Sequence, residues 1–163
     1  MKIQLLEKIH NRKDFTCEED SLTEYLKKQV NQDIHKKLAI CFVAVDNEQN
    51  VIGYYTLTSE SLGRDLIPGK YLKQVPKNYN APVILLGRLA RDIKAKGTGL
   101  GEFLLLDALF RSYKLSNESI GAMAVVVEPI NEKAVEFYKK YGFVQLPDSE
   151  KMFLPMKLIG QLM

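Results

Sequence analysis

The feature that most constrains this chain is an apolar run of strand length, Val83–Ala90, followed by a glycine-rich turn, Lys96-Gly-Thr-Gly-Leu-Gly101, and then by helical periodicity. A nearly continuous apolar run predicts a strand covered on both faces. The spacing of Leu100, Phe103, Leu104, Ala108 and Leu109 predicts a helix with one face against the core. Closely spaced glycines at a helix start let backbone N–H groups and the positive end of the helix dipole converge on one point. The unit Val83–Tyr113 therefore reads as an anion-binding device, with a plain structural turn as the other reading. Two common phosphate loops are excluded. GxxxxGK[ST] is absent, and Gly97, Gly99 and Gly101 lack the GxGxxG spacing that is followed by an acidic residue about 20 positions on.

The rest of the chain supplies partners for that unit. A helix is predicted from Asp20 to Lys36, where Leu22, Leu26, Val30 and Ile34 recur every four residues and Ser21-Leu-Thr-Glu24 has the form of a capping box. Ile40–Val45 and Val51–Ser59 read as a hairpin across Asp46-Asn-Glu-Gln-Asn50. Residues 60–82, with Gly63, Pro68, Gly69, Pro76 and Pro82, read as a long irregular excursion of the kind that often carries function. Met123–Val127 is a short buried strand. Asn131 opens a helix with Ala134, Val135, Tyr138 and Tyr141 on one face and Gly142 at its end. Phe143–Gln145 and Met152–Leu158 read as closing strands. Strands and helices alternate in the second half, which predicts an α/β or α+β fold with a mixed sheet in a single domain over residues 1–163.

Composition narrows the class. The 163 residues are 46% hydrophobic and 26% charged, a globular balance that excludes a disordered or fibrous chain. No apolar run approaches the roughly 18 residues of a membrane span, and the charged N-terminus does not read as a secretory signal, so a cytoplasmic protein is expected. Cys17 and Cys41 make no disulfide framework, and Cys41, inside an apolar run, is expected in the core. His10 and His35 stand apart from each other and from any carboxylate cluster, so no metal site and no Cys–His nucleophile is expected. The net charge is +3, yet residues 64–96 hold eight Lys or Arg against two Asp. That asymmetry points to an anionic partner or to a solvated basic face.

Lys96-Gly-Thr-Gly-Leu-Gly101 resembles the pyrophosphate-binding signature R/Q-x-x-G-x-G/A of the GNAT family of N-acetyltransferases, with Lys96 where Arg or Gln is usual. Asn131-Glu-Lys-Ala134 followed by Phe137-Tyr-Lys-Lys-Tyr-Gly-Phe143 is similar to that family's second hallmark. The resemblance implies acetyl-CoA as co-substrate and no metal. It implies a sheet, largely antiparallel, splayed between the strands at Val83–Ala90 and Met123–Val127. Cofactor contacts would come from Leu89, Ala90 and Arg91, from Lys96, Gly97, Thr98, Gly99, Leu100 and Gly101, and from Asn131. Tyr138 matches the tyrosine placed near the thioester sulfur. A phenol with an ordinary pKa of about 10 can donate its proton as thiolate charge develops, whereas the other reading of Tyr138 is a packed core residue. Asp92 is the one carboxylate near the strand end in position to act as a base. A lysine acceptor would need such a base more than an α-amine, whose pKa is roughly 8.

Asp14-Phe-Thr-Cys-Glu-Glu-Asp-Ser-Leu-Thr-Glu-Tyr-Leu26, Gly53-Tyr-Tyr-Thr-Leu-Thr, Leu86-Gly-Arg-Leu-Ala-Arg-Asp92 and Phe153-Leu-Pro-Met-Lys157 look, in that order, like the acetyltransferase toxins of bacterial toxin–antitoxin pairs. That likeness implies aminoacyl-tRNA as acceptor, a ribbon-helix-helix antitoxin as partner, and leaves a homodimer open. On this reading Arg64, Lys70, Lys73 and Lys77 would meet tRNA phosphates, with Tyr71 and Tyr79 available to stack on bases. Arg88, a charge within an apolar strand, would have either an internal ion-pair partner or the acceptor end of the tRNA. An acetyltransferase acting on a small amine or a protein N-terminus remains an alternative, as does a non-catalytic module that keeps the CoA fold.

Overall fold

The computed structural model describes residues 2–163, and among them a mixed sheet of seven strands runs in the order β1-β2-β3-β4-β5-β7-β6. The strands are β1 (Lys2–Leu5), β2 (Ile40–Val45), β3 (Val51–Leu62), β4 (Ala81–Arg91), β5 (Ala124–Val127), β6 (Val144–Gln145) and β7 (Met152–Pro155). Pairing is antiparallel for β1–β2, β2–β3, β5–β7 and β6–β7, and parallel for β4–β5. The helices are α1 (Asp20–Glu24), α2 (Val30–His35), α3 (Gly69–Leu72), α4 (Leu100–Glu118), α5 (Glu132–Lys139) and α6 (Met156–Gln161). By their internal contacts the residues divide into two compact units. The first takes the chain through Thr58 together with Gly87–Ala108; the second takes Ser59–Leu86 and Leu109–Met163.

In the first unit, α1 and α2 are joined by a π-helical turn at Tyr25–Gln29, so the expected helix is continuous but not uniform. A strict four-residue spacing overshoots the 3.6-residue turn of an α-helix, and the wider π turn takes up the excess. Leu26 and Val30 are thereby fully buried with Phe15, Val43 and Tyr54, and Leu22 and Ile34 pack at the margin. The capping box does not form. The helix begins one residue earlier than Ser21, at Asp20, and its N-cap Glu19 makes no side-chain cap. Glu24 instead pairs with Lys28 at 2.8 Å, and Thr23 Oγ1 accepts from the Cys17 N–H at 3.0 Å.

In the second unit, the excursion at residues 60–82 is more ordered than its composition suggests. β3 continues to Leu62, a 3-10 turn spans Arg64–Leu66, and α3 follows. Leu62, Ile67 and Val75 are buried with Ala81, Val83, Val126 and Phe153, so the segment is sewn to a core. β7 ends at Pro155 rather than at Leu158, because Pro155 is the N-cap of α6, where its missing N–H leaves no bond unmade. β1 was too short, and α6 too strand-like in composition, to be read from the sequence.

Burial shifts the titration of this fold upward. Cys41, 1% exposed, has its thiol pushed up to about 12, and burial raises the phenols of Tyr25 and Tyr54 above their ordinary value. The unfolded thiol and phenols ionise at about 8.5 and about 10, ahead of the folded ones, so the stability they contribute is full below those values and is lost as pH rises. The urea midpoint is expected to hold steady to about pH 8 and to fall from about pH 9, by up to roughly 1.4 kcal/mol per pH unit for each group. Cys41→Ala should move the onset up toward the tyrosine range. A midpoint that is flat from pH 8 to 11 would contradict this account.

Candidate functional site

The parallel register of β4 with β5 covers Ile84↔Val125, Leu85↔Val126 and Leu86↔Val127 and then stops, while β4 runs on to Arg91. Gly87–Arg91 therefore carries a strand edge that, among the described residues, β5 does not fill. Leu89, Ala90 and Arg91, expected to meet the cofactor arm, all lie on this stretch. After it, Asp92 N-caps a 3-10 turn at Ile93–Ala95 through its side chain. The chain then enters the glycine turn, where Gly97 and Gly99 have φ of +80° and +83°. An added Cβ would meet nothing within 4 Å at either position, so backbone conformation, not crowding, requires glycine there.

The turn holds itself. Thr98 Oγ1 donates to the Ala95 carbonyl at 2.5 Å and accepts from the Leu100 N–H at 3.3 Å, which commits the hydroxyl to the loop. Leu100 is 1% exposed and anchors α4 in the core, so its side chain is structural. Among the described residues, the N–H groups of Gly97, Gly99, Gly101 and Glu102 have no protein acceptor. Unpaired donors at a helix start, with the dipole behind them, fit a pyrophosphate. Glu102 was not anticipated, because only its backbone takes part and side-chain chemistry gives no signal for that. Lys96 is exposed at the mouth of the turn.

Asp92 is committed to the backbone. Its carboxylate is 5% exposed, Oδ2 accepts from the Thr16 N–H at 3.2 Å and Oδ1 from the Lys94 N–H at 2.9 Å. Arg91 pairs with Glu18 at 3.0 Å. Desolvation raises the Glu18 carboxyl, but the hydrogen bond and charge of Arg91 outweigh it and leave the carboxyl below its ordinary value. Among the described residues no carboxylate forms the expected ion pair with Arg88. Its guanidinium lies 3.6 Å from the centroid of the Tyr25 ring, and the Tyr25 hydroxyl donates to Asp33 at 2.8 Å. A π face satisfies a half-buried cation without a carboxylate.

The second unit holds the other expected residues. Asn131 N-caps α5, its Oδ1 accepting from the Ala134 N–H at 2.9 Å. Tyr138 is 8% exposed, and Phe137 and Phe143 meet its ring edge-on at 5.3 Å each. Burial alone pushes its phenol above the ordinary value, so the proton is held firmly at neutral pH. Arg64 is structural in part: Nε donates to the Val75 carbonyl at 3.1 Å. The Lys70 ammonium sits 5.6 Å over the Tyr71 ring, and Tyr71, half-buried, packs against Phe153 at 5.7 Å at the margin of the core. Lys73, Lys77 and Tyr79 are exposed.

Among the described residues no group of three His, Cys, Asp or Glu could hold a metal ion, and no helix is long and apolar enough to cross a membrane. The sequence profile of the acetyltransferase (GNAT) family matches residues 4–143. A tRNA-acetylating toxin of Mycobacterium tuberculosis is 36% identical over 144 residues, covering 88% of this chain and 84% of that one. The solved structure of AtaT complexed with acetyl-methionyl-tRNAfMet superposes with a TM-score of 0.91 at 31% identity, covering 99% of this chain and 98% of that one. A Tyr-to-Phe mutant of the AtaT toxin, bound to the C-terminus of the antitoxin AtaR and acetyl-CoA, superposes with a TM-score of 0.84 at 28% identity, covering 99% and 96%.

The account of Asp92 is tested by Asp92→Asn, which sets an amide N–H₂ against one of two backbone donors. A loss of about 1–3 kcal/mol is expected in urea denaturation. Unchanged stability would show that the hydrogen bond lost to the amide contributes nothing.

Proposed function

The chain belongs to the acetyltransferase (GNAT) family, and we propose that it transfers the acetyl group of acetyl-CoA to the α-amine of an aminoacyl-tRNA, as the toxin of a toxin–antitoxin pair. The observation that carries this reading is the whole-chain likeness to AtaT in complex with acetyl-methionyl-tRNAfMet. We take the chain as one catalytic domain working in the cytoplasm, where charged tRNA is found. A small ribbon-helix-helix antitoxin would be its partner, as the likeness to AtaT with AtaR supports, and self-association is compatible with the same reading.

In this scheme acetyl-CoA supplies an activated acetyl group as its thioester. The N–H groups of Gly97, Gly99, Gly101 and Glu102 would hold the pyrophosphate, with the Lys96 charge beside them. The unfilled edge of β4 at Leu89–Arg91 offers main-chain partners to the amide groups of the cofactor arm. Asn131 would add a side-chain contact at the start of α5. As the new C–N bond forms and the C–S bond breaks, Tyr138 Oη would deliver its proton to the departing sulfur, the amine would lose its surplus proton to water, and the phenolate would regain a proton from water to restore the enzyme. Burial keeps the phenol protonated, so its O–H is present to hydrogen-bond the sulfur, while the upward shift makes it a weaker proton donor than a free phenol. Both Asp92 oxygens accept backbone N–H groups and the residue is buried, which makes that carboxylate a poor candidate for a base. An α-amine with a pKa of roughly 8 is already about a tenth neutral at pH 7, so it needs none.

Labelled acetyl should pass from acetyl-CoA to charged tRNA and not to uncharged tRNA. Tyr138→Phe should lower kcat by about 10²–10³ with little change in the KM for acetyl-CoA. Label that enters only small amines or proteins would keep the acetyltransferase and discard the tRNA acceptor. Full activity in Tyr138→Phe would remove the acid role. The triple change Lys70→Glu, Lys73→Glu, Lys77→Glu, with Arg64 kept for its hold on Val75, should raise the KM for tRNA about tenfold or more and leave the melting temperature within a few degrees. An unaltered KM would exclude the segment from tRNA contact.

A further inference from the structure

A second concentration of positive charge lies where the sequence shows little asymmetry. In the first unit, Lys8, Arg12, Lys13 and Lys27 line a concavity of about 560 Å³, and no carboxylate lines it with them. Cations gathered without a counter-charge repel one another unless an anion joins them. The segment that presents them is rigid. Asn11 donates its N–H to the Gln49 carbonyl at 2.8 Å and accepts the Val51 N–H at 2.9 Å, and its Oδ1 accepts from the Lys13 N–H at 3.0 Å. Arg12 Nη1 donates to the Leu26 carbonyl at 2.9 Å, which fixes the guanidinium.

His10 supplies the second, independent observation. It lines the same concavity and is 4% exposed. Its Nδ1 accepts the Glu7 N–H at 2.9 Å and so carries no proton, which leaves the ring's proton on Nε2. That buried Nε2–H has no acceptor among the described residues. Buried polar groups in folded proteins are nearly always paired, and an unpaired donor among four cations calls for an acceptor bearing negative charge.

We propose that this concavity is an anion site that takes backbone phosphates of RNA, with His10 as a neutral donor inside a ring of lysine and arginine charges. The inference rests on the aminoacyl-tRNA reading, which brings a polyanion to the molecule. The concavity is wide and its lysines are compact, strongly hydrated point charges, a combination suited to a run of phosphates along a strand more than to one chelated ion.

Two variants test it. Lys8→Gln, Lys13→Gln, Lys27→Gln together removes three charges and keeps Arg12, whose bond to Leu26 supports the fold. His10→Asn keeps an acceptor for the Glu7 N–H and removes the Nε2 donor. Binding of uncharged tRNA is read by fluorescence anisotropy from about 50 to 200 mM salt, with polyglutamate as a second polyanion and melting temperatures as the check on folding. The triple variant should bind tRNA about tenfold more weakly and lower the slope of log affinity against log salt by about 2. His10→Asn should weaken binding roughly threefold and leave the slope unchanged, because it removes no charge. Wild-type affinity and slope in the triple variant would overturn the proposal. So would equal losses for tRNA and polyglutamate, which would mark a nonspecific basic face. A wild-type chain that fails to acetylate charged tRNA defeats the acceptor assignment, whereas normal acetylation with unaltered binding in the triple variant defeats the RNA site alone.

Discussion

The buried carboxylate of Asp92 is the joint on which the candidate site depends. It stands where β4 ends, and its backbone N–H reaches the Ile52 carbonyl at 2.7 Å while its two oxygens hold Thr16 and Lys94. One residue thus ties the strand end to the segment before α1 and starts the 3-10 turn that delivers Lys96–Gly101. The acceptors of a buried carboxylate are worth most when all are used, and here both oxygens are. A carboxylate that reads as a base in the sequence is, in the fold, a structural staple.

Beside that joint, two arginines on one strand are balanced in different ways. Arg91 faces Glu18 across an ion pair, whereas Arg88 rests on the Tyr25 ring, whose hydroxyl is in turn held by Asp33. A guanidinium stacked on a π face keeps its N–H fork directed outward, since the ring occupies its plane and not its donors. This leaves Arg88 able to meet an anionic group without first breaking an ion pair, which a salt-bridged arginine would have to do.

Tyr138 and the glycine turn illustrate two routes to function. Tyr138 owes its character to burial among Phe137 and Phe143, which holds the proton on its hydroxyl. The glycine turn owes its character to backbone donors left over at a helix start. Neither depends on a rare residue type. The turn depends on which polar atoms the fold leaves unpaired, and His10 in the basic concavity follows the same rule.

Much was legible in the residues themselves because it depends on local order along the chain. Periodicity set the strand–turn–helix unit, the β2–β3 hairpin and the α5 start at Asn131, since hydrophobic spacing and cap residues act within a few positions. The closely spaced glycines announced a turn that brings backbone N–H groups together, and the two motifs in sequence announced the family. Tertiary structure decided what local order cannot reach. It assigned Asp92 to Thr16, seventy-six positions away, and Arg88 to the Tyr25 ring, not to an acidic residue. It packed Tyr71 against Phe153, and it turned residues 60–82 from an open excursion into part of a core. It also gathered Lys8–Lys13 with Lys27 into one basic concavity that no composition count reveals. The difference is physical: propensity and spacing are summed over neighbours in sequence, whereas pairing, burial and charge balance are settled by groups brought together from distant positions.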